Sequence, residues 1–190
     1  MTALLQPAPI TVEEYLEGEL LSEVKHEYLG GEAHAMAGAG NRHNQVATNI
    51  TIALGARLRG KPCRPFNSDT KVRIELANHT RFYYPDAMVV SDRNRDDEQW
   101  QDRPVVIVEV LSESTRRTDL GEKREAYLAI PTLKVLLIVE PGEAAATLYR
   151  RGPSGGFLSE HYAGSDQWIP LPEIEVELPL GEFYEGLEPS

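Results

Sequence analysis

Hydrophobic positions along the chain fall into two rhythms. Short continuous apolar runs bounded by Pro, Gly or charged residues predict buried strands at 104–112 and 133–140. Shorter runs at 63–66, 70–76 and 82–91 predict three more, and 24–37 reads as a hairpin folded at Gly30-Gly31. The second rhythm is helical. Val46, Ile50, Ala53, Leu54 and Leu58 recur at helical spacing, with Asn41 or Asn44 to cap the start and Gly60 to stop it. Thr11-Val-Glu-Glu14 has capping-box spacing and predicts a short helix ending near Gly18. A third helical stretch covers 118–130 and stops at Pro131. The polar stretch 92–103 reads as a loop, 144–150 and 157–162 as a hairpin around 152–156. The acidic, Pro-rich end holds a strand near 175–178 and a turn at Phe183-Tyr184.

One residue breaks the pattern. Glu109 lies inside Pro-Val-Val-Ile-Val-Glu-Val-Leu-Ser, a run apolar enough to be covered on both faces. Taking a carboxylate out of water costs several kcal/mol unless it is paired, hydrogen-bonded or bound to a cation. Glu109 therefore needs partners. Asp86, in Tyr84-Pro85-Asp86, opens the apolar run 87–90 and is a second carboxylate within a buried pattern. A charged loop and one strand separate the two, so adjacent strands would bring them to one point. Such oxygen ligands suit a hard cation, Mg²⁺ or Mn²⁺, and an arginine pair for Glu109 beside a solvated Asp86 accounts for the spacing equally well. Asp119, Lys123 and Tyr127 follow at intervals of four on one helical face, which lets Lys123 reach back towards the carboxylates. There it would steer a nucleophile or stabilise charge on phosphate; alternatively it forms an exposed ion pair.

Composition narrows the classes. The 190 residues, 41% hydrophobic, suffice for one sizeable core. The expected organisation is a single domain over 1–190: a flexible lead at 1–10, helix, hairpin and long helix over 11–60, the core with the candidate site over 61–140, and a C-terminal β extension over 141–190. The start lacks the charged and apolar regions of a signal peptide, no stretch approaches a membrane span, and the one cysteine, Cys63, makes no internal disulfide. A cytoplasmic protein with no membrane partner is expected. A net charge of −11, from 19 basic and 30 acidic residues, argues against coating nucleic acid by charge alone but leaves room for a local basic groove or a bound cation. Two apparent motifs fail on context. Gly55 to Lys61 imitates a phosphate loop but closes a helix, and Pro62 replaces the required Ser or Thr. Gly152-Pro-Ser154-Gly-Gly156 imitates a nucleophile elbow but precedes a strand.

Tyr-Pro-Asp86, the Glu109 run through Ser-Glu-Ser-Thr115, Asp119-Leu-Gly-Glu-Lys123-Arg-Glu-Ala-Tyr127 and Ile-Pro131 together resemble the Uma-type endonucleases, bacterial proteins of the restriction-endonuclease-like PD-(D/E)XK superfamily long described as a domain of unknown function. The likeness extends to Glu27-Tyr-Leu-Gly-Gly-Glu32 and the helix at His43. It implies an α/β (α+β) restriction-endonuclease-like fold, a central mixed β-sheet flanked by helices with extra β-hairpins. It also implies Asp86, Glu109 and the backbone carbonyl of Val110 as metal ligands. The superfamily's lysine two residues after the Glu is replaced by Leu111, and the resemblance supplies it from the helix as Lys123; Glu113 stands where the family often has proline. Glu27 matches an early acidic position near the metal, or is a surface hairpin residue. His43 makes either a hydrogen bond at the helix start or a phosphate contact. Tyr127 packs over the lysine stem. Arg116, Arg117 and Arg124 contact a nucleic-acid backbone or form a solvated helix face.

The implied activity is Mg²⁺- or Mn²⁺-dependent hydrolysis of nucleic-acid phosphodiesters, DNA first, with Asp86, Glu109, Lys123 and Glu27 at the catalytic centre. Cutting both strands of a duplex favours a two-fold homodimer. The rival is an inactive nuclease-fold module that keeps the acidic pocket as an ion-pair cluster and binds a protein partner.

Overall fold

A computed structural model describes residues 8–112 and 116–188. In chain order the elements are α1 (Val12–Leu21), β1 (His26–Leu29), β2 (Ala33–Ala35), α2 (Asn41–Leu58), β3 (Arg64–Asn67), β4 (Lys71–Glu75), β5 (Thr80–Tyr83), β6 (Ala87–Val90), β7 (Trp100–Gln101), β8 (Pro104–Val110), α3 (Arg116–Asp119), α4 (Glu122–Leu128), β9 (Val135–Val139), β10 (Ala145–Arg151), β11 (Phe157–Ala163), β12 (Trp168–Leu171) and β13 (Val176–Pro179). The central sheet has six strands in the order β11-β10-β9-β8-β6-β3 and is mixed, because β8 and β9 run parallel while their neighbours are antiparallel. A second sheet, β2-β1-β5-β4-β7, has five. The family resemblance implies the first, with extra hairpins, and not a separate five-stranded sheet.

Strand β8 runs through the middle of the central sheet and is covered on both faces, as its unbroken apolar run requires. Strand alternation sorts its side chains. Val106, Val108 and Val110 pack with Val46, Ile50, Leu54 and Leu58 of α2, and with Leu178 and Phe183 from the C-terminal segment. Ile107 and Leu111 point the other way, into a core built with Ala126 and Tyr127 of α4 and with Val72, Ile74 and Tyr83 of the second sheet. Glu109 lies between Ile107 and Leu111 in the alternation and so faces α4.

Several elements depart from the sequence expectation. The run 82–91 is two strands in different sheets, β5 and β6, because the Tyr84-Pro85-Asp86 turn carries the chain from one sheet to the other. The helix expected over 118–130 begins at Arg116 and breaks between α3 and α4. Gly121 sits in the break, where a Cβ would come within 2.8 Å of the Arg117 carbonyl oxygen. Helix α2 is capped by Gly40 without a side-chain bond, while Asn44 Nδ2 donates instead to the Ala39 carbonyl. Helix α1 passes through Gly18 to Leu21, the loop over 92–103 contains β7, and a strand, β12, pairs with β13. Of the expected flexible lead, 1–7 lies outside the described residues, as does Glu113; Ile10 is fixed by bonds to Gly31 and to the Tyr28 hydroxyl. The hairpin turn there requires glycine, since Gly31 has φ of 117° and a Cβ would meet Pro9 at 2.7 Å. Among the described residues no helix is long and apolar enough to cross a membrane.

The capping box of α1 is complete: Thr11 Oγ1 accepts from Glu14 N–H and Glu14 Oε2 accepts from Thr11 N–H. Thr11→Ala is expected to lower stability by about 1 kcal/mol, visible as a lower urea midpoint with an unchanged slope.

Candidate active site

The register of β6 against β8 sets the geometry. Ala87 is opposite Val108, so one step further Asp86 stands opposite Glu109 at the end of the paired region. Asp86 Oδ2 accepts the Val110 N–H at 2.7 Å, which fixes the carboxylate against β8. His43, in the first turn of α2, brings Nε2 to 3.3 Å from the same oxygen. Burial pulls the His43 imidazole down, but its contacts with Asp86, Asn44 and the Val110 backbone outweigh that and the net shift is upward. His43 is therefore bound to Asp86 as well as to Asn44 beside it at the helix start.

Glu109 is 3% exposed and meets α4. The Tyr127 hydroxyl donates to Glu109 Oε1 at 2.5 Å, and Lys123 Nζ lies 3.0 Å from the same atom. Lys123 also reaches Glu27 Oε1 of β1 at 3.1 Å and Asp119 Oδ1 at 3.7 Å. Three carboxylates thus share one buried ammonium. The expected face of Asp119, Lys123 and Tyr127 survives the break between α3 and α4, and the five-stranded sheet supplies the fourth member, Glu27.

These charges do not balance. Burial pushes the Glu109 carboxyl up to about 8; Lys123 and the Tyr127 hydrogen bond oppose the shift, while Asp86 and Asp119 add to it. Burial would lower Lys123, but Glu109, Glu27 and Asp119 hold it charged and well above the usual lysine range. A cavity of about 480 Å³ opens beside the cluster, with Glu27, His43, Asp86, Glu109, Asp119 and Lys123 among its lining residues. Val110 lines it too, with Lys25, His34 and Tyr84 elsewhere on the wall. Arg116, Arg117 and Arg124 do not line it. Arg116 forms a double ion pair with Glu140, Arg117 is exposed, and Arg124 pairs with Glu125 beside the Tyr149 ring.

A supporting layer lies behind the carboxylates. Glu19 of α1, its side chain 5% exposed, accepts from the Tyr84 hydroxyl at 2.6 Å and contacts His26 Nδ1 at 2.8 Å. His26 precedes Glu27 and Tyr84 begins the turn to Asp86, so one carboxylate steadies the backbone next to two site acids. Tyr15, also on α1, donates to the His26 carbonyl at 2.6 Å.

A model of the Uma2 family, described as "Putative restriction endonuclease", matches residues 12–181. The chain belongs to the Uma2 family. Its relatives include two proteins of Synechocystis sp. (strain ATCC 27184 / PCC 6803 / Kazusa), both described as uncharacterized. One, slr1290, is 32% identical over 179 residues, covering 94% of this chain and 93% of its own. The other, sll1609, is 31% identical over 179 residues, covering 92% of each. A crystal structure described as "a putative nuclease belonging to DUF820", from Anabaena variabilis ATCC 29413, matches with a TM-score of 0.69 over 92% of this chain and 97% of that one, at 17% identity. That likeness is one of fold, and it gives this Uma2 chain the restriction-endonuclease-like architecture that the motifs imply.

The spacing of residues reveals Lys123 as a partner of Glu109 but not the role of Tyr127. Its ring does lie beside Lys123, whose ammonium is 6.0 Å from the ring centroid, but its hydroxyl also binds the carboxylate directly, and the ring meets Tyr83 at 5.6 Å between centroids. The available signal is its position one turn beyond Lys123 on the face that β8 presents with Glu109. Tyr127→Phe is expected to cost about 1–3 kcal/mol by leaving a buried acceptor short of a donor, measured as a shift in urea midpoint.

Proposed function

We propose that this Uma2 protein is a divalent-metal-dependent endonuclease that hydrolyses phosphodiester bonds of nucleic acid, with DNA as the first substrate to test. The observation that carries the reading is the meeting of Asp86, Glu109 and Lys123 at one cavity, from strands paired in register and the helix facing them.

The donor chemistry fits Mg²⁺ or Mn²⁺. Among the described residues no three His, Cys, Asp or Glu side chains form a ready cage. Mg²⁺ does not require one, because it keeps several waters and takes one or two carboxylates. Asp86 and Glu109 would hold it, with the Val110 carbonyl as third protein ligand. The acid excess around Lys123 favours a cation, and Glu109, driven towards its neutral form without one, would regain its charge beside it. When bound, the ion supplies an activated water and offsets charge growing on the phosphate.

The chain's own groups do the rest. Val110 N–H and His43 orient Asp86, while Tyr127 and Lys123 hold Glu109 by one oxygen. Lys123, kept charged by its carboxylates, stabilises negative charge on the phosphoryl oxygens and orients the nucleophile. Glu27 sets the position of Lys123. A cytoplasmic protein working as a two-fold dimer on duplex DNA completes this reading.

The test is incubation of purified protein with single- and double-stranded DNA and RNA in Mg²⁺, Mn²⁺ or chelator, beside Asp86→Ala, Glu109→Ala and Lys123→Ala. Metal-dependent cleavage lost in all three variants is expected. Cleavage that persists in chelator or in the variants overturns the mechanism, and a protein inert on all substrates leaves the binding-module alternative.

A further inference from the structure

A second buried lysine is solved very differently from the first. Lys71 opens β4 and is 5% exposed, yet among the described residues no carboxylate lies within ion-pair distance of its ammonium group. Its one hydrogen bond goes to Gln99 Oε1 at 3.3 Å, and its other neighbours are the rings of Tyr84 at 5.4 Å and Tyr15 at 6.0 Å. Burial pulls the amine below the usual lysine range, opposed only by Glu19. That carboxylate is already engaged by Tyr84 and His26. An ammonium with three donors and one neutral acceptor is a costly thing to bury, and a hydrophobic residue of similar length would fill the space at less cost.

Lys71 lines a cavity of about 380 Å³ between the Phe66–Lys71 stretch and the loop that leads into β7. Arg93, Asn94, Gln99 and Gln101 line it as well. Two of the three acids on its wall are ion-paired, Asp69 with Lys25 and Asp96 with Arg93 at 3.5 Å; Glu98 accepts from the neutral Asn94 Nδ2 at 2.7 Å. The chamber therefore joins a buried lysine that has donors beyond its Gln99 bond to two arginines, Arg93 and Arg95, and to amide groups, which together outweigh the one carboxylate, Glu98, that no cation pairs among the described residues.

We propose that this cavity is an anion subsite that takes a phosphate group, with Lys71 as its buried cation. It adjoins the active-site cavity. Ser68 lines the first chamber and Asp69 the second, and Lys25, which lines the first, binds both, donating to the Ser68 carbonyl at 2.9 Å. The phosphate is either free or a backbone phosphate of a nucleic-acid strand that also enters the active site; the second source rests on the nuclease reading, whereas the subsite itself does not. Lys71 is then kept for binding rather than for stability, and the position should show the usual trade between them.

Thermal unfolding in the presence of chelator tests this on the whole protein, with inorganic phosphate and a short single-stranded DNA as separate probes. The parent, Lys71→Met and the double variant Asp86→Asn/Glu109→Gln are compared. Phosphate is expected to raise the Tm of the parent and of the double variant but not that of Lys71→Met, and Lys71→Met without ligand is expected to melt at or above the parent. A larger Lys71-dependent shift with DNA than with phosphate identifies the backbone as the source; a shift with phosphate alone identifies the free ion. The proposal is overturned if neither probe shifts the parent, if Lys71→Met keeps the shift, or if it melts clearly below the parent. Absence of cleavage with a phosphate shift that still depends on Lys71 would remove the nuclease reading and leave the subsite standing.

Discussion

Glu109→Gln is expected to lower metal-dependent cleavage by at least about a thousandfold, since several kcal/mol of charge stabilisation is lost, while the folded protein in chelator stays as stable as the parent or becomes more so. The two halves of this expectation have one cause. Burial and the neighbouring Asp86 and Asp119 already drive the carboxyl towards its neutral form, up to about 8. Glutamine keeps the shape and an oxygen for the Tyr127 hydroxyl, and Lys123 still has Glu27 at 3.1 Å. What disappears is the anion that a divalent cation would need. Single-turnover cleavage with Mg²⁺ and urea unfolding in chelator measure the two quantities separately. Near-parental cleavage would remove Glu109 from the metal site; a large loss of stability would make it a structural anion.

Much of this site is legible in the sequence because it depends on a strand whose pattern is unambiguous. A short Val- and Ile-rich apolar run opened by Pro104 reads as a doubly covered strand, and a glutamate inside it demands partners. The short connection from Asp86 through one loop makes pairing of β6 with β8 the simplest topology, and four-residue spacing puts Lys123 within reach. What stays hidden is long-range. Pro85 marks a break within 82–91, but nothing local says that the two halves join different sheets, since both are apolar and sheet membership is decided by distant partners. The break at Gly121 reflects the close approach of the Arg117 carbonyl rather than a loss of helical pattern. Glu19 reads as one surface acid among many on α1, yet its contacts with His26 and Tyr84 place it behind two site acids. Glu27 needs the same distant information, because its ion pair with Lys123 joins the two sheets across α4.

Lys123→Met is expected to be the most destabilising substitution in the cluster, at about 3–5 kcal/mol, the cost of leaving buried charges without their partner. Lys123 is 6% exposed, and Glu27, Glu109 and Asp119 all lie within ion-pair distance of its ammonium. Methionine fills the volume but leaves the acids facing one another, and protonating them costs more the higher the pH. The double variant Lys123→Met/Glu109→Gln should recover part of the loss, because it removes one of the two buried negative charges; couplings of about 0.5–3 kcal/mol are usual for residues in contact. Urea midpoints of the parent, the two single variants and the double variant, all in chelator, close the cycle. Both single variants are expected to be inactive, so activity alone cannot separate their roles. Stability can: loss of the lysine leaves uncompensated anions, whereas neutralising Glu109 relieves one. A cycle with no coupling would mean that Lys123 answers to Glu27 and Asp119 alone, and would leave its contact with Glu109 without energetic weight.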